Sequence, residues 1–114
     1  MSLPVTHHSE QFATIGQLMP EDMAAVAAMG FQSVINNRPD GEGGPDQPTS
    51  DQMAQAAQAA GLTYAFLPVI AGMITPEQAR AFAQWLGQQS GPVLAFCRSG
   101  ARSTQLREMA RAYE

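Results

Sequence analysis

The segment "VLAFCRSGARSTQ" (residues 93–105) places the chain's single cysteine, Cys97, after an apolar run and beside two of its six arginines. A thiol attacks only as the thiolate, and nearby N–H groups and guanidinium charge favour that form. A loop running from a buried strand into a helix presents backbone N–H groups that no helical carbonyl satisfies. Curled around a centre, such groups make an anion-binding nest backed by the helix dipole. Gly100 permits the curl. Arg98, Ser99, Gly100 and Ala101 supply its wall, Ser103 follows, and Arg102 can grip a tetrahedral anion through two parallel hydrogen bonds. A lone cysteine after a strand would by itself be a small buried hydrophobe. In this company, Cys97 as nucleophile and Arg102 as clamp specify attack on a bound oxyanion or sulfur species.

Strand-like and helix-like segments alternate around this loop. Strands are expected at residues 11–18, 31–37, 62–69 and 92–96, where β-branched and aromatic residues gather. Pro20 suits the first turn of a helix that Gly30 stops. Thr49 with Gln52 makes a capping box opening a second helix, and Thr75 with Gln78 opens a third, whose Ala79, Phe82 and Leu86 share a face. A terminal helix is expected from Ser103 onward, with Leu106 and Met109 or Ala110 turned inward. Strands separated by helices imply right-handed crossovers and a mostly parallel four-stranded core covered on both faces. The fold class is therefore three-layer α/β/α. Ligands in such sheets bind beyond the carboxyl ends of the strands, so the Cys97 loop should share its rim with the turn-rich segment "RPDGEGGPDQPTS" (residues 38–50). The acids of that segment, Asp40, Glu42 and Asp46, read as solvated turn formers.

A chain of 114 residues is long enough for one core and too short for two, so residues 1–114 form a single domain, with 1–10 as an irregular N-terminus. Apolar residues make up 45% and charged ones 14%, a globular balance. The net charge of −4 argues against nucleic acid and anionic membranes as partners. Its distribution points to the cysteine: residues 1–97 carry eight acids against two arginines, residues 98–114 four arginines against two glutamates. No apolar run reaches the length of a membrane span and no signal-peptide pattern precedes the first helix. One cysteine cannot close an internal disulfide, which fits the cytoplasm. His7 and His8 lack further ligands nearby, so no metal and no cofactor is expected. The methionines read as core filler, and Trp85 and Tyr64 as packing residues.

Cys97-Arg98-Ser99-Gly100-Ala101-Arg102-Ser103 resembles the active-site loop of the beta-lactamase-hydrolase-like, phosphatase-like domain family. The resemblance extends to "IGQLMPEDMAAVAAMGFQSVINNRPDGEG" and "GLTYAFLPVIAGMITPEQARAF", nearly the whole chain. It implies the fold of dual-specificity tyrosine phosphatases, and, for members fused to a persulfide dioxygenase, a sulfurtransferase role. It assigns Cys97 as nucleophile, Arg102 as anion-binding arginine, and residues 98–101 as the cradle. Asn36, Asn37 and Arg38, with Asp40 in the same loop, match a segment expected beside it.

Two departures from the tyrosine-phosphatase pattern bear on the substrate. Four residues rather than five separate Cys97 from Arg102, a tighter loop more like the rhodanese cradle for a persulfide sulfur. The segment "LPVIAGMITP" (residues 67–76) also lacks the aspartate that protonates a leaving oxygen in phosphatases. Three functions remain open: transfer of sulfane sulfur through a Cys97 persulfide, hydrolysis of phosphate esters through a phosphocysteine, and non-catalytic binding of anions or reactive sulfur. The expected ligand is a small anion: thiosulfate, a persulfide or a phosphate ester. With one cysteine, a persulfide would need an external thiol acceptor, and the resemblance implies a persulfide dioxygenase as partner.

Overall fold

The computed structural model describes residues 3–114. Its strands are β1 (Thr6–His7), β2 (Phe12–Ile15), β3 (Ser33–Asn36), β4 (Thr63–Phe66) and β5 (Val93–Phe96). Its helices are α1 (Met23–Ala28), α2 (Ser50–Ala59), α3 (Pro76–Gly87) and α4 (Ala101–Ala110). The sheet order is β1-β2-β5-β3-β4, with β2, β5, β3 and β4 parallel and β1 antiparallel to β2.

The expected four-stranded parallel core is therefore present, with an extra strand on its edge. Residues 1–10, read as irregular, include that strand: Thr6 pairs with Thr14 and His7 with Ala13, while the His7 ring stacks on Phe31 at 6.3 Å. Two residues are too few to display the alternation that betrays a strand. Residues 1–2 lie outside the described part of the chain.

The two faces of the sheet bury different sets. Ala13, Ile15, Val34, Leu94 and Phe96 pack with Met23 and Val26 of α1 and Met53 and Ala57 of α2. Phe12, Ile35, Val93 and Ala95 pack with Ala79 and Phe82 of α3 and Leu106 and Ala110 of α4. β2, β3 and β5 are buried along their whole length, as parallel central strands must be. β4 is the far edge and remains half-exposed.

The polar punctuation forms as expected. Thr49 accepts from Gln52 N while Thr49 N donates to Gln52 Oε1, and Thr75 and Gln78 repeat the exchange on α3. The methionines divide: Met23 and Met53 fill the core, whereas Met19, Met29 and Met73 are exposed. Among the described residues no helix is long and apolar enough to cross a membrane.

The topology fixes where a ligand can sit. The chain lays down β2, β3 and β4 outward, then returns through α3 to insert β5 between β2 and β3. α1 and α2 cover one face, α3 and α4 the other, so the carboxyl end of β5 lies at the centre of the rim. Phe96 ends β5, and Cys97 is the next residue.

Candidate active site

Cys97 leaves the sheet between Ile15 and Asn36, whose strands end level with Phe96. The residue is 1% exposed, and Gly100 N donates to its Sγ at 3.1 Å. Burial pushes the thiol up, but the backbone N–H groups of Ser103, Ser99 and Gly100 and the Ser103 hydroxyl outweigh it. The net effect holds Cys97 below the ordinary thiol value.

Gly100 makes this convergence possible. Its φ of 92° is left-handed, and it takes the N-cap position of α4. A side chain there would lie 3.2 Å from Ile15 O. The helix consequently starts at Ala101, two residues ahead of the expected Ser103, and Arg102 and Ser103 belong to its first turn. Their backbone N–H groups are among those an α-helix leaves free.

Ser103 and Asn37 are both fully buried and joined, Ser103 Oγ donating to Asn37 Oδ1 at 2.8 Å. Asn37 Nδ2 donates in turn to Leu67 O at 2.9 Å, which fixes the orientation of its amide. The Ser103 hydroxyl has one proton, so it cannot serve Asn37 and the sulfur together. It rests on Asn37, and the Cys97 thiolate is the stronger competing acceptor.

Arg102 is 9% exposed, and three of its four Nη N–H groups have partners. Nη1 donates to Glu42 Oε2 at 2.8 Å and to Val69 O at 2.9 Å, and Nη2 to Glu42 Oε1 at 2.9 Å. Arg38 reaches the same carboxylate, Nε to Oε1 at 2.9 Å, while its Nη1 donates to Gln17 Oε1 at 3.0 Å. Hydrogen bonding to Arg102, reinforced by Arg38 and opposed by burial, pulls Glu42 down to about 2. The Arg102 guanidinium is raised by its hydrogen bond to Glu42, and the Cys97 charge adds to the effect.

Glu42 corrects the sequence reading, which left it as a solvated turn former. It bridges the two arginines that define the rim. Asp40 is turned elsewhere: its Oδ1 accepts from Ser50 N at 2.8 Å, at the start of α2. Asn36 shapes the loop, with Oδ1 accepting from Arg38 N at 2.9 Å and Nδ2 donating to Tyr64 Oη at 3.1 Å. Tyr64 Oη also meets Ser50 Oγ at 2.9 Å, so this ring is more than packing. The cradle divides by exposure: Arg98, Ser99 and Ala101 are exposed, Gly100 buried. Arg98 contributes its carbonyl to Gln17 N at 3.2 Å, and the residue is exposed to solvent.

Gln17, Glu42 and the Val69 carbonyl are the site groups that sequence reasoning missed. Arg38 and Glu42 stand four residues apart, but that spacing signals a pair only on a helix. Nothing in the sequence marks Gln17 or Val69. His7 and His8 take other roles at the sheet edge, where His8 Nε2 meets Thr14 Oγ1 at 2.8 Å. Chemically, the arrangement offers a stabilised thiolate, convergent N–H groups and a pre-oriented arginine, and its nearest acid is held ionised.

Residues 5–114 match the family described as beta-lactamase hydrolase-like protein, phosphatase-like domain. A beta-lactamase hydrolase-like protein of Agrobacterium fabrum is 44% identical over 98 residues, which is 86% of this chain and 22% of that relative. The chain thus spans about a fifth of the curated relatives it matches. A candidate phosphatase of Neisseria meningitidis superposes with a TM-score of 0.83 at 36% identity, covering 91% of this chain and 73% of the other. A second candidate phosphatase, from Shewanella putrefaciens, gives 0.83 at 20% identity over 96% and 68%, a likeness of fold.

Proposed function

Since the chain belongs to the phosphatase-like domain family of beta-lactamase hydrolase-like proteins, and so is a cysteine-based, phosphatase-like protein, we propose that it is a sulfurtransferase carrying sulfane sulfur on Cys97. In the first half-reaction the Cys97 thiolate attacks the outer sulfur of a donor such as thiosulfate. The donor S–S bond breaks, sulfite leaves with the electron pair, and Cys97 becomes a persulfide. An acceptor thiolate then attacks the outer sulfur, and Cys97 leaves as the thiolate. The chain has no second cysteine, so the acceptor is an external thiol in the cytoplasm, and a persulfide dioxygenase is a partner suited to consume the persulfide that this transfer makes.

The observation that carries this reading is Glu42. Hydrolysis of an alkyl phosphate needs a proton for the departing oxygen. The acid nearest the clamp is bound to Arg102 and Arg38 and ionised down to about pH 2, so at neutral pH it has no proton to give. Sulfite and thiolates leave as anions and need none. The short cradle, with Gly100 N on Sγ at 3.1 Å, supports the same assignment: Cys97 nucleophile, Arg102 anion clamp, residues 98–101 and Ser103 the wall.

Intact-mass measurement after thiosulfate treatment should add one sulfur atom to the wild-type chain and none to Cys97→Ser. Absence of any adduct with thiosulfate and with organic persulfides would sink the proposal. A second reading, phosphate-ester hydrolysis through a phosphocysteine, draws on the 36% identity to a candidate phosphatase. Turnover of an aryl phosphate that disappears in Cys97→Ser would favour it.

A further inference from the structure

The turn that follows the Arg102-bound residue Val69 is apolar and exposed. Val69 is fully buried; its N donates to Asn37 O at 3.0 Å and its O accepts from Arg102 Nη1 at 2.9 Å. The strand-to-helix connection is therefore pinned to the anion clamp at this residue. Immediately beyond, Ile70-Ala71-Gly72-Met73 turn back on themselves, Met73 N donating to Ile70 O at 2.9 Å, with Gly72 at a φ of 76°. All four are exposed, Ile70 by 55% and Met73 by 66%. None of the four carries a polar or charged side chain. Large apolar side chains left this open beside a buried arginine, rather than scattered singly, mark a surface that a ligand covers.

We propose that Ile70 and Met73 form a specificity edge, and that the ligand is an organic anion whose head is held by Arg102 and the Cys97 loop and whose apolar substituent lies on this turn. The occupant follows from continuity: one residue, Val69, joins the clamp to the turn, so a single ligand of head and tail spans both. Inorganic thiosulfate or phosphate would reach the clamp alone. The inference rests on the anion site described above, and it holds whichever group is transferred there. For a sulfur donor, it selects an alkyl or aryl thiosulfonate or persulfide over thiosulfate.

Unreactive sulfonates separate this proposal from the chemistry. The dissociation constants of methane-, butane-, hexane- and benzenesulfonate are measured calorimetrically on the full chain, on the double variant Ile70→Ser/Met73→Ser, and on Ile70→Leu/Met73→Leu. Affinity in the wild type should rise about two- to fourfold per methylene over the first carbons. The serine pair should flatten the series and the leucine pair should keep it, circular dichroism confirming that both fold. A flat series in the wild type, a slope surviving in the serine pair, or no sulfonate binding in a chain that takes up sulfur would overturn the edge. A slope in a chain that accepts no sulfur from any donor would uphold the edge and discard the sulfurtransferase reading.

Discussion

Cys97 is buried, where a thiol ordinarily keeps its proton, yet the N–H groups of Ser103, Ser99 and Gly100 tip the balance toward thiolate. Because the folded value is lowered, sulfur uptake should rise with pH and reach its plateau below the pH where a free thiol ionises. The Ser103 hydroxyl is the removable part of this stabilisation. Ser103→Ala should slow loading about tenfold on the acidic limb, the worth of a hydrogen bond to a charged group, and approach the wild-type rate at high pH. Stopped-flow loading across a pH series reads both limbs, and an equal loss at every pH would assign Ser103 a purely structural role. Cys97, Arg102 and Ser103 stand out in the sequence because loop chemistry is fixed by short spacings, whereas Asn37, whose partner Ser103 lies 66 residues away, is marked only by the family resemblance. Glu42 and Gln17 do not stand out, because their partners lie 60 and 21 residues away, at Arg102 and Arg38, and only the folded rim brings them there.

At the level of elements, the junction of β5 and α4 turns on one glycine. The sequence reading placed Gly100 in the cradle but began the helix at Ser103, since a strand-to-helix boundary is blurred wherever a glycine, with no side chain to announce it, takes the N-cap. Its left-handed φ of 92° and the nearness of Ile15 O leave an added methyl both strained and crowded. Gly100→Ala should therefore cost about 1–3 kcal/mol in urea unfolding. It should also reduce sulfur loading at least tenfold, by moving Gly100 N off Sγ. Wild-type loading at reduced stability would separate the N-cap from the cradle. The parallel core was legible for the opposite reason: β2, β3 and β5 are buried along their whole length and centred on apolar and β-branched residues, whereas β1 has only two residues.

Across the whole molecule, the positive C-terminal segment resolves into pairs and one outlier. Arg107 meets Glu114 at 2.9 Å, Arg111 meets Glu108 at 3.4 Å, and Arg102 meets Glu42, while Arg98 is exposed and outside these pairs. The Glu42 pair ties the loop after β3 to the first turn of α4, so it links the rim to the stability of the fold. Glu42 is depressed from 4.5 to about 2. A depressed carboxyl contributes its stabilisation above 4.5 and loses it as the pH falls toward 2. The Glu42 side chain keeps 29% of its exposure, so water screens the pair, which is worth about 1–2 kcal/mol. Glu42→Gln should lower the unfolding free energy from urea denaturation by that amount at neutral pH, and the gap to the wild type should close as both are taken from pH 4.5 toward 2. The difference between the two chains is the readout, because every other carboxylate titrates in both. A gap that stays constant through this window would mean that Glu42 holds the rim by shape, without its charge.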